Sequence, residues 1–212
     1  MTPNTASSNA NRRPLKSRDH PLAKYLAAWL VTKKVNPDTI SVFSIVFAGV
    51  GAVSLYWSAL PWALLACALG IQLRLACNLL DGMVAIEGGR QSAIGALYNE
   101  IPDRIADSLL IVALGYAIGL PGLGWFGALA AALTAYLRTL GGALGLGQDF
   151  RGPMAKPQRM ATMTLACVAG ALETTWFGTN YCLVIAAWVI ALGSVWTCYR
   201  RTAAMAQQLR TP

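Results

Sequence analysis

The stretch NLLDGMVAIEGGRQSAIGALYNEIPDRIAD, residues 78–107, places ionisable side chains inside two long apolar segments of the chain. The segments are residues 61–84 and 94–120, and each has at least the roughly 20 residues that a helix needs to cross a bilayer. A short loop, residues 86–93, joins them, so we expect two neighbouring antiparallel helices. Charges inside a membrane are costly unless they are paired, solvated or bound to metal, which makes these side chains functional candidates.

The same apolar character extends over most of the 212 residues. Apolar residues make up 56% of the chain and charged residues 12%, whereas water-soluble domains usually carry about 25% charged residues. The composition excludes disordered, fibrous and disulfide-scaffold proteins. It predicts an all-α integral membrane protein with six transmembrane helices, over residues 39–60, 61–84, 94–120, 123–146, 160–177 and 181–198.

The basic residues indicate how these helices are oriented. The turns that join the spans in pairs contain no Lys or Arg, and the other ends hold nearly all of them. By the positive-inside rule, both termini and both longer loops are cytoplasmic. The net charge of +8 then reflects contact with membrane lipids and not with nucleic acid. We expect a multi-pass protein of the cell membrane, in a bacterium the inner membrane.

A basic segment before the first span predicts an interfacial amphipathic helix over residues 20–35. Asp19 is its expected N-cap, and Pro21 suits its first turn. The alternative is a solvated helix of a small extra domain. The helix would follow a disordered polar leader (1–19) and precede the six-helix membrane domain (36–205) and a cytoplasmic tail (206–212). Its apolar residues recur at helical spacing: Leu22, Tyr25, Leu26, Trp29 and Leu30.

Oxygen-bearing side chains recur at helical spacing in the second and third spans. Asn78 and Asp81 are three residues apart, and Asn99, Asp103 and Asp107 follow one another at intervals of four. Both intervals return to the same helix face. Two facing helices with such ligands predict a site for a hard divalent cation, Mg²⁺ or Mn²⁺, near the cytoplasmic surface. Carboxylates, a hard cation and nearby basic residues suit an anionic phosphate substrate.

Cations elsewhere in the chain are candidates for binding the phosphate or carboxylate of a second substrate. For those in the loop between the fourth and fifth spans, the alternative is a role in topology and in contact with lipid headgroups. Arg74 lies deeper in the second span, and we expect it to pair with Glu173 or another acid. The candidates for substrate binding are Arg138, Arg151, Lys156 and Arg159.

The order of these residues resembles the motif of the CDP-alcohol phosphatidyltransferases, D-x2-D-G-x2-A-R-x8-G-x3-D-x3-D. This chain has N-L-L-D-G-M-V-A-I from residue 78, then eight residues, then G-A-L-Y-N-E-I-P-D ending at residue 103. Every interval matches. Three residue types differ, because Asn78 and Asn99 stand where the family has aspartate and Ile86 stands where it has arginine. The sequence V-N-P-D-T-I-S, residues 35–41, is similar to the family's start of span one.

The resemblance implies a metal-dependent enzyme of phospholipid biosynthesis. It would transfer a phosphatidyl group from a CDP-linked lipid, CDP-diacylglycerol, to an acceptor alcohol and release CMP. In the family, two divalent metals sit on four aspartates, and the last aspartate deprotonates the acceptor. By position, Asp81 is then a metal ligand and Asp103 the base, while Gly82, Ala85 and Gly95 line the CDP pocket. The resemblance also implies a homodimer.

The substituted positions leave alternatives open. Asparagine offers one neutral oxygen and bridges two metals poorly, so divalent binding should be weaker. Asp81, Asp103 and Asp107 could form a shifted ligand set, with Asn78 and Asn99 as neutral ligands and either Asp103 or Asp107 as base. A second interpretation is a non-catalytic relative that binds CDP-lipid without turnover. A transporter is disfavoured, because the acids cluster at one membrane face.

Overall fold

The computed structural model describes residues 19–90 and 94–210. Within these ranges the chain forms seven α-helices and no strand. Apart from Asp19, the predicted leader lies outside the described residues, as do the middle of the loop after the second span and the last two residues of the tail. The helices are α1 (Pro21–Thr32), α2 (Pro37–Ser54, continued by a 3-10 turn, Leu55–Trp57), α3 (Pro61–Glu87), α4 (Gly95–Ala117), α5 (Pro121–Ala143), α6 (Lys156–Phe177) and α7 (Tyr181–Arg210).

Local sequence signals explain where several helices begin. Five of them, α1, α2, α3, α5 and α6, have proline at the first or second position, where its missing N–H is not needed. His20 caps α1, because its Nδ1 accepts a hydrogen bond from the backbone N–H of Leu22 at 3.3 Å. The prediction of Asp19 as this N-cap is therefore wrong by one residue. Asn36 caps α2 by accepting from the N–H of Asp38 at 3.0 Å.

Each of the six segments predicted to cross a membrane coincides with a helix. Four of these helices are long and apolar enough to do so by length and composition: Pro37–Trp57, Pro61–Glu87, Pro121–Ala143 and Tyr181–Arg210. The helices α4 and α6 have similar lengths, but α4 carries charged side chains in its first half, and α6 contains several threonines and Glu173. An all-helical membrane protein is thus confirmed, whereas the number of six spans stays a prediction.

The six long helices pack as a closed ring. Around this ring α2 contacts α3, α3 contacts α6, α6 contacts α7, α7 contacts α5, α5 contacts α4, and α4 returns to α2. Glycines allow close backbone contact at some crossings, as small residues do between membrane helices. A Cβ atom on Gly70 of α3, for example, would lie 2.8 Å from the carbonyl oxygen of Phe47 on α2.

The interior of the ring differs between its two ends. The end formed by the start of α3 and the end of α4 is filled with apolar side chains that are almost fully buried, among them Leu55, Leu64, Leu110, Leu114 and Leu183. At the other end, buried carboxylates and guanidinium groups lie between α3, α4, α5, α6 and α7. The charged cluster thus extends from one end of the bundle to its middle, where Arg74 of α3 and Asp107 of α4 lie.

The short helix α1 packs along α3 at the charged end. Its contact face is built from small residues, Ala23 and Ala27, which join Met83 and Val84 of α3 in one apolar cluster. Leu30 and Val31 also pack against this cluster. The other large apolar side chains of α1 are exposed: Leu22, Tyr25, Leu26 and Trp29.

Candidate active site

Asp81 is a buried carboxylate of α3 with one oxygen still available. The residue as a whole is only 3% exposed. Oδ2 accepts a hydrogen bond from the hydroxyl of Ser41 on α2 at 2.5 Å. Oδ1 is buried too, and no hydrogen-bond partner for it exists in the described part of the chain. A buried acceptor without a partner is unfavourable, so Oδ1 is a candidate ligand atom for a cation.

Side chains from α3 and α6 converge on Asp103 of α4. Its Oδ1 accepts a hydrogen bond from the amide of Asn78 on α3 at 2.7 Å, and Arg74 of α3 is 3.4 Å from the same oxygen. Its Oδ2 accepts a bond from the ammonium of Lys156, the first residue of α6. Asp81 lies close enough to Asp103 for their charges to interact. The structure thus brings together Asn78, Asp81 and Asp103, as their spacing predicts.

Asp107, one turn further along α4, is engaged by two arginines. Its Oδ1 accepts from Arg74 at 2.5 Å and its Oδ2 from Arg159 of α6 at 2.8 Å. All three residues are at most 3% exposed. Both oxygens of this carboxylate therefore accept from arginines that are themselves fully buried, whereas the side chain of Lys156, which contacts Asp103, is 22% exposed. Arg74 pairs with this acid and not with Glu173.

Glu173 instead serves as a helix cap at the apolar end of the bundle. Its carboxylate accepts hydrogen bonds from the backbone N–H groups of Tyr181 at 2.7 Å and Cys182 at 2.8 Å. It also accepts from the hydroxyl of Thr179 at 2.5 Å. These are orphan donors at the start of α7, where a negative charge is favourable.

A second group of cations lies beside these acids, between α5, α6 and α7. Arg159 donates to the hydroxyl of Thr134 at 3.1 Å, in addition to its bond to Asp107. Arg201 of α7 is 3% exposed. It donates to the carbonyl oxygen of Arg151 at 2.9 Å and to that of Thr134. No carboxylate among residues 19–90 and 94–210 forms a salt bridge with Arg201, although Asp149 is near enough for its charge to act on the guanidinium. Arg201 is therefore a candidate for contact with an anion.

Hydropathy and motif spacing do not single out Arg201, because it stands among the basic residues that follow the last predicted span. A signal was present, since Ser194, Thr197 and Arg201 recur at intervals of three and four on α7, and all three are buried. An arginine that shares a helix face with buried residues is expected to be buried, whereas the other basic residues at the end of the span are expected to be solvated.

The remaining cations predicted to bind a substrate have different surroundings. Arg138 of α5 donates to the carboxylate of Glu100 on α4 and lies 5.6 Å from the ring centre of Phe150. Arg151 is exposed and bonds Asp149 in the loop after α5, at 3.0 Å from Nε to Oδ1. Burial raises the pKa of Asp149, but the hydrogen bonds and the charge of Arg151 outweigh it and hold this pKa below its ordinary value.

Two of the residues predicted to line a CDP pocket, Gly82 and Ala85, lie within about one turn of Asp81 on α3. A Cβ atom added to Gly82 would meet nothing within 4 Å, so open space adjoins the α3 backbone there. Ala85 and Gly95 are half-buried, at the end of α3 and the start of α4. Asn99 is exposed. The roles of these residues stay predictions.

The fold and the site define a class of protein, a multi-pass helical membrane protein with a buried acid and cation cluster at one end. No family model matches the chain. The phosphatidylinositol phosphate synthase of Streptomyces avermitilis is 28% identical over 184 residues, which are 82% of this chain and 74% of that protein. The inner membrane protein YnbA of Escherichia coli is 26% identical over 174 residues, 82% of this chain and 85% of that protein.

Solved structures share the fold. The phosphatidylinositol phosphate synthase PgsA1 of Mycobacterium tuberculosis, in complex with manganese and citrate, superposes with a TM-score of 0.73 at 22% identity, over 87% of this chain and 88% of that one. With CDP-DAG bound, the TM-score is also 0.73 at 22% identity, over 88% and 94% of the two chains. These findings support the resemblance to CDP-alcohol phosphatidyltransferases. Several of the curated relatives are thus named as enzymes of phosphatidyl transfer, and a solved structure that shares the fold holds manganese.

Proposed function

We propose that this chain transfers a phosphatidyl group from CDP-diacylglycerol to an alcohol that itself carries a phosphate, with release of CMP. The observation that carries the proposal is the convergence of two groups at one end of the bundle. One is the carboxylate pair of Asp81 and Asp103, with the unpartnered oxygen of Asp81. The other is a set of buried cations that includes Arg201, which forms no salt bridge within the described residues.

The residues present fit a divalent cation. Hard cations take oxygen ligands, and the site offers Oδ1 of Asp81 and the carboxylate of Asp103. Asn78 donates its amide nitrogen to Asp103, which leaves the amide oxygen for a cation. Within the described residues no group of three or more His, Cys, Asp or Glu side chains could hold a metal, so a neutral oxygen has to complete the site. A cation bound there would neutralise the diphosphate of the donor.

The protein's own residues then divide the work of transfer. The open space at Gly82 admits the nucleotide close to the α3 backbone. The acceptor hydroxyl gives its proton to Asp103, and its oxygen forms a bond to the phosphorus of the lipid phosphate. The bond from this phosphorus to the bridging oxygen of the diphosphate breaks, and CMP leaves with that oxygen and the electron pair. The basic residues that would hold the phosphate of the acceptor are Arg138, Arg159 and Arg201.

Asp107 has a different role in this proposal from the one its spacing predicts. Arg74 and Arg159 occupy both of its oxygens. We therefore assign it the positioning of these arginines rather than cation binding or proton transfer. Asp103 remains the candidate base.

We also propose that all six long helices span the membrane, with the charged end and both termini on the cytoplasmic side. The acids of α4 are enclosed by neighbouring helices, which is how spanning helices accommodate charge. The exposed Tyr25 and Trp29 of α1, beside Lys24 and Lys33, suit a helix that lies in the membrane interface. This placement gives the site access to a lipid donor from the inner leaflet.

The test is a CMP-release assay on the purified protein with CDP-diacylglycerol and Mg²⁺ or Mn²⁺. The acceptors are inositol phosphate, glycerol phosphate, inositol and serine. We expect release with a phosphorylated acceptor and its loss in Asp103→Asn. Arg201→Gln should raise the KM for that acceptor at least about tenfold, the cost of one charge-assisted bond, and leave the KM for CDP-diacylglycerol unchanged. Arg200→Gln, a change at an exposed residue, is the matched control.

Two results would contradict the proposal. A preference for unphosphorylated inositol or serine would refute the phosphorylated acceptor. No release with any acceptor and either cation would favour a protein that binds CDP-lipid without turnover.

A further inference from the structure

The negative charge around Asp81 and Asp103 is too small for the two divalent cations that the family motif implies. Of the four motif positions, only these two carry a carboxylate, since the other two are Asn78 and Asn99. Asn99 is exposed. Two dications would bring four positive charges to two carboxylates, and the neutral, single oxygen of an asparagine bridges cations poorly.

A protein cation already occupies part of this site. The ammonium of Lys156 contacts Oδ2 of Asp103, while Oδ1 of the same carboxylate accepts from Asn78 at 2.7 Å. The side chain of Lys156 is 22% exposed. It is held by its position as the first residue of α6, followed by Pro157. Asp103 is thus already surrounded by protein cations, since Arg74 lies 3.4 Å from its Oδ1 and Arg104 lies 3.7 Å from its Oδ2 in addition to Lys156.

The available ligand atoms are at the opposite side of the site. Oδ1 of Asp81 is buried without a partner, and Ser41 fixes the orientation of that carboxylate through Oδ2. One cation can therefore be held at Asp81 with no rearrangement of Lys156. An ammonium has three donors, so Lys156 can bond Asp103 and a diphosphate oxygen at the same time.

We propose that this chain binds one divalent cation, held at Asp81 and shared with Asp103, and that the ammonium of Lys156 supplies the positive charge of a second. The inference rests on the proposed function, because it takes the same carboxylates to be the cation site. It makes Lys156 a residue that contacts the diphosphate of the donor.

The experiment measures the number of Mn²⁺ ions bound per chain, on the full-length protein in lipid nanodiscs. Equilibrium dialysis gives the number, and electron paramagnetic resonance shows whether two ions are coupled. We expect one Mn²⁺ per wild-type chain and no coupled pair. Lys156→Met should raise the affinity for Mn²⁺ about tenfold, because it removes a repelling charge next to a ligand. Arg200→Met, which removes an exposed charge on α7, should leave the affinity unchanged.

A triple variant tests the charge argument directly. Asn78→Asp, Asn99→Asp and Lys156→Met together restore the carboxylates and remove the ammonium, so we expect a second Mn²⁺ to bind. Size-exclusion profiles and unfolding midpoints show that each variant is folded. The number of Mn²⁺ ions bound by the wild-type chain is measured directly, so it does not depend on the folding of any variant.

Two results would each overturn the inference: binding of two Mn²⁺ ions per wild-type chain, or an unchanged affinity of Lys156→Met for Mn²⁺. Either result leaves CMP release by the wild type intact, so it is separate from failure of the proposed function. That failure would be the absence of CMP release from a chain that binds one Mn²⁺.

Discussion

Replacing Asp107 by asparagine should lower the free energy of unfolding by about 3–5 kcal/mol, the usual cost of removing one partner from a buried ion pair. In the wild type its oxygens lie 2.5 Å from Arg74 and 2.8 Å from Arg159. Asparagine can accept from one guanidinium but turns its own N–H donors toward the other. For a chain of this length, each kcal/mol corresponds to about 2–4 °C, so the unfolding midpoint should fall by roughly 6–20 °C.

The assay is thermal unfolding in detergent micelles, followed by Mn²⁺ binding at low temperature. Asp149→Asn is the matched control, because Asp149 pairs with the exposed Arg151. Such pairs contribute at most about 1 kcal/mol. A double variant, Asp107→Asn with Arg159→Gln, should be less unstable than the sum of the single changes, since it also removes one unpaired buried charge.

The outcome that refutes this reasoning is an Asp107→Asn protein with a wild-type unfolding midpoint and weakened Mn²⁺ binding. That result would make Asp107 a cation ligand, as the four-residue spacing on α4 predicts. We expect the reverse, an unstable protein whose folded fraction binds Mn²⁺ with wild-type affinity.

Two further substitutions test the orientation of Asp81 and the space beside it. Ser41→Ala should weaken Mn²⁺ binding about tenfold in a binding titration, because it removes the hydroxyl that orients this carboxylate. Ser44→Ala, whose hydroxyl bonds only a backbone carbonyl of its own helix, should have no effect, and equal effects would contradict the assignment. Gly82→Leu should raise the KM for CDP-diacylglycerol in the CMP-release assay without lowering the unfolding midpoint, whereas Gly70→Ala should lower that midpoint. An unchanged KM would show that the nucleotide binds elsewhere.

Hydropathy and helical spacing were sufficient to locate the helices. Every predicted span lies on a helix, since a long apolar segment without breakers has few other structures in a membrane. The boundaries were less predictable. The helix α7, for example, continues to Arg210, past the predicted end at residue 198, because the polar residues that follow are good helix formers.

The site was predictable where it depends on spacing along two neighbouring helices. The contact of Asn78 with Asp103 follows from a short loop between antiparallel helices. The partners of Asp107 could not be predicted in this way. Arg159 lies 52 residues away in the sequence, and several other cations were equally eligible. Only the ring order of the helices, which places α6 beside α3, determines that Arg74 and Arg159 share this carboxylate.

The separation of the buried acid and cation cluster from the apolar layer of the bundle bears on the permeability of the membrane around this protein. Leu55, Leu64, Leu114 and Leu183 fill the opposite end, and they form an apolar layer through which neither water nor ions find hydrogen-bonding groups. Solvent that reaches the carboxylates from one side therefore meets a dry barrier. In the membrane placement and function proposed above, charged reactants bind on one side of this layer, and the layer separates them from the opposite side of the bilayer.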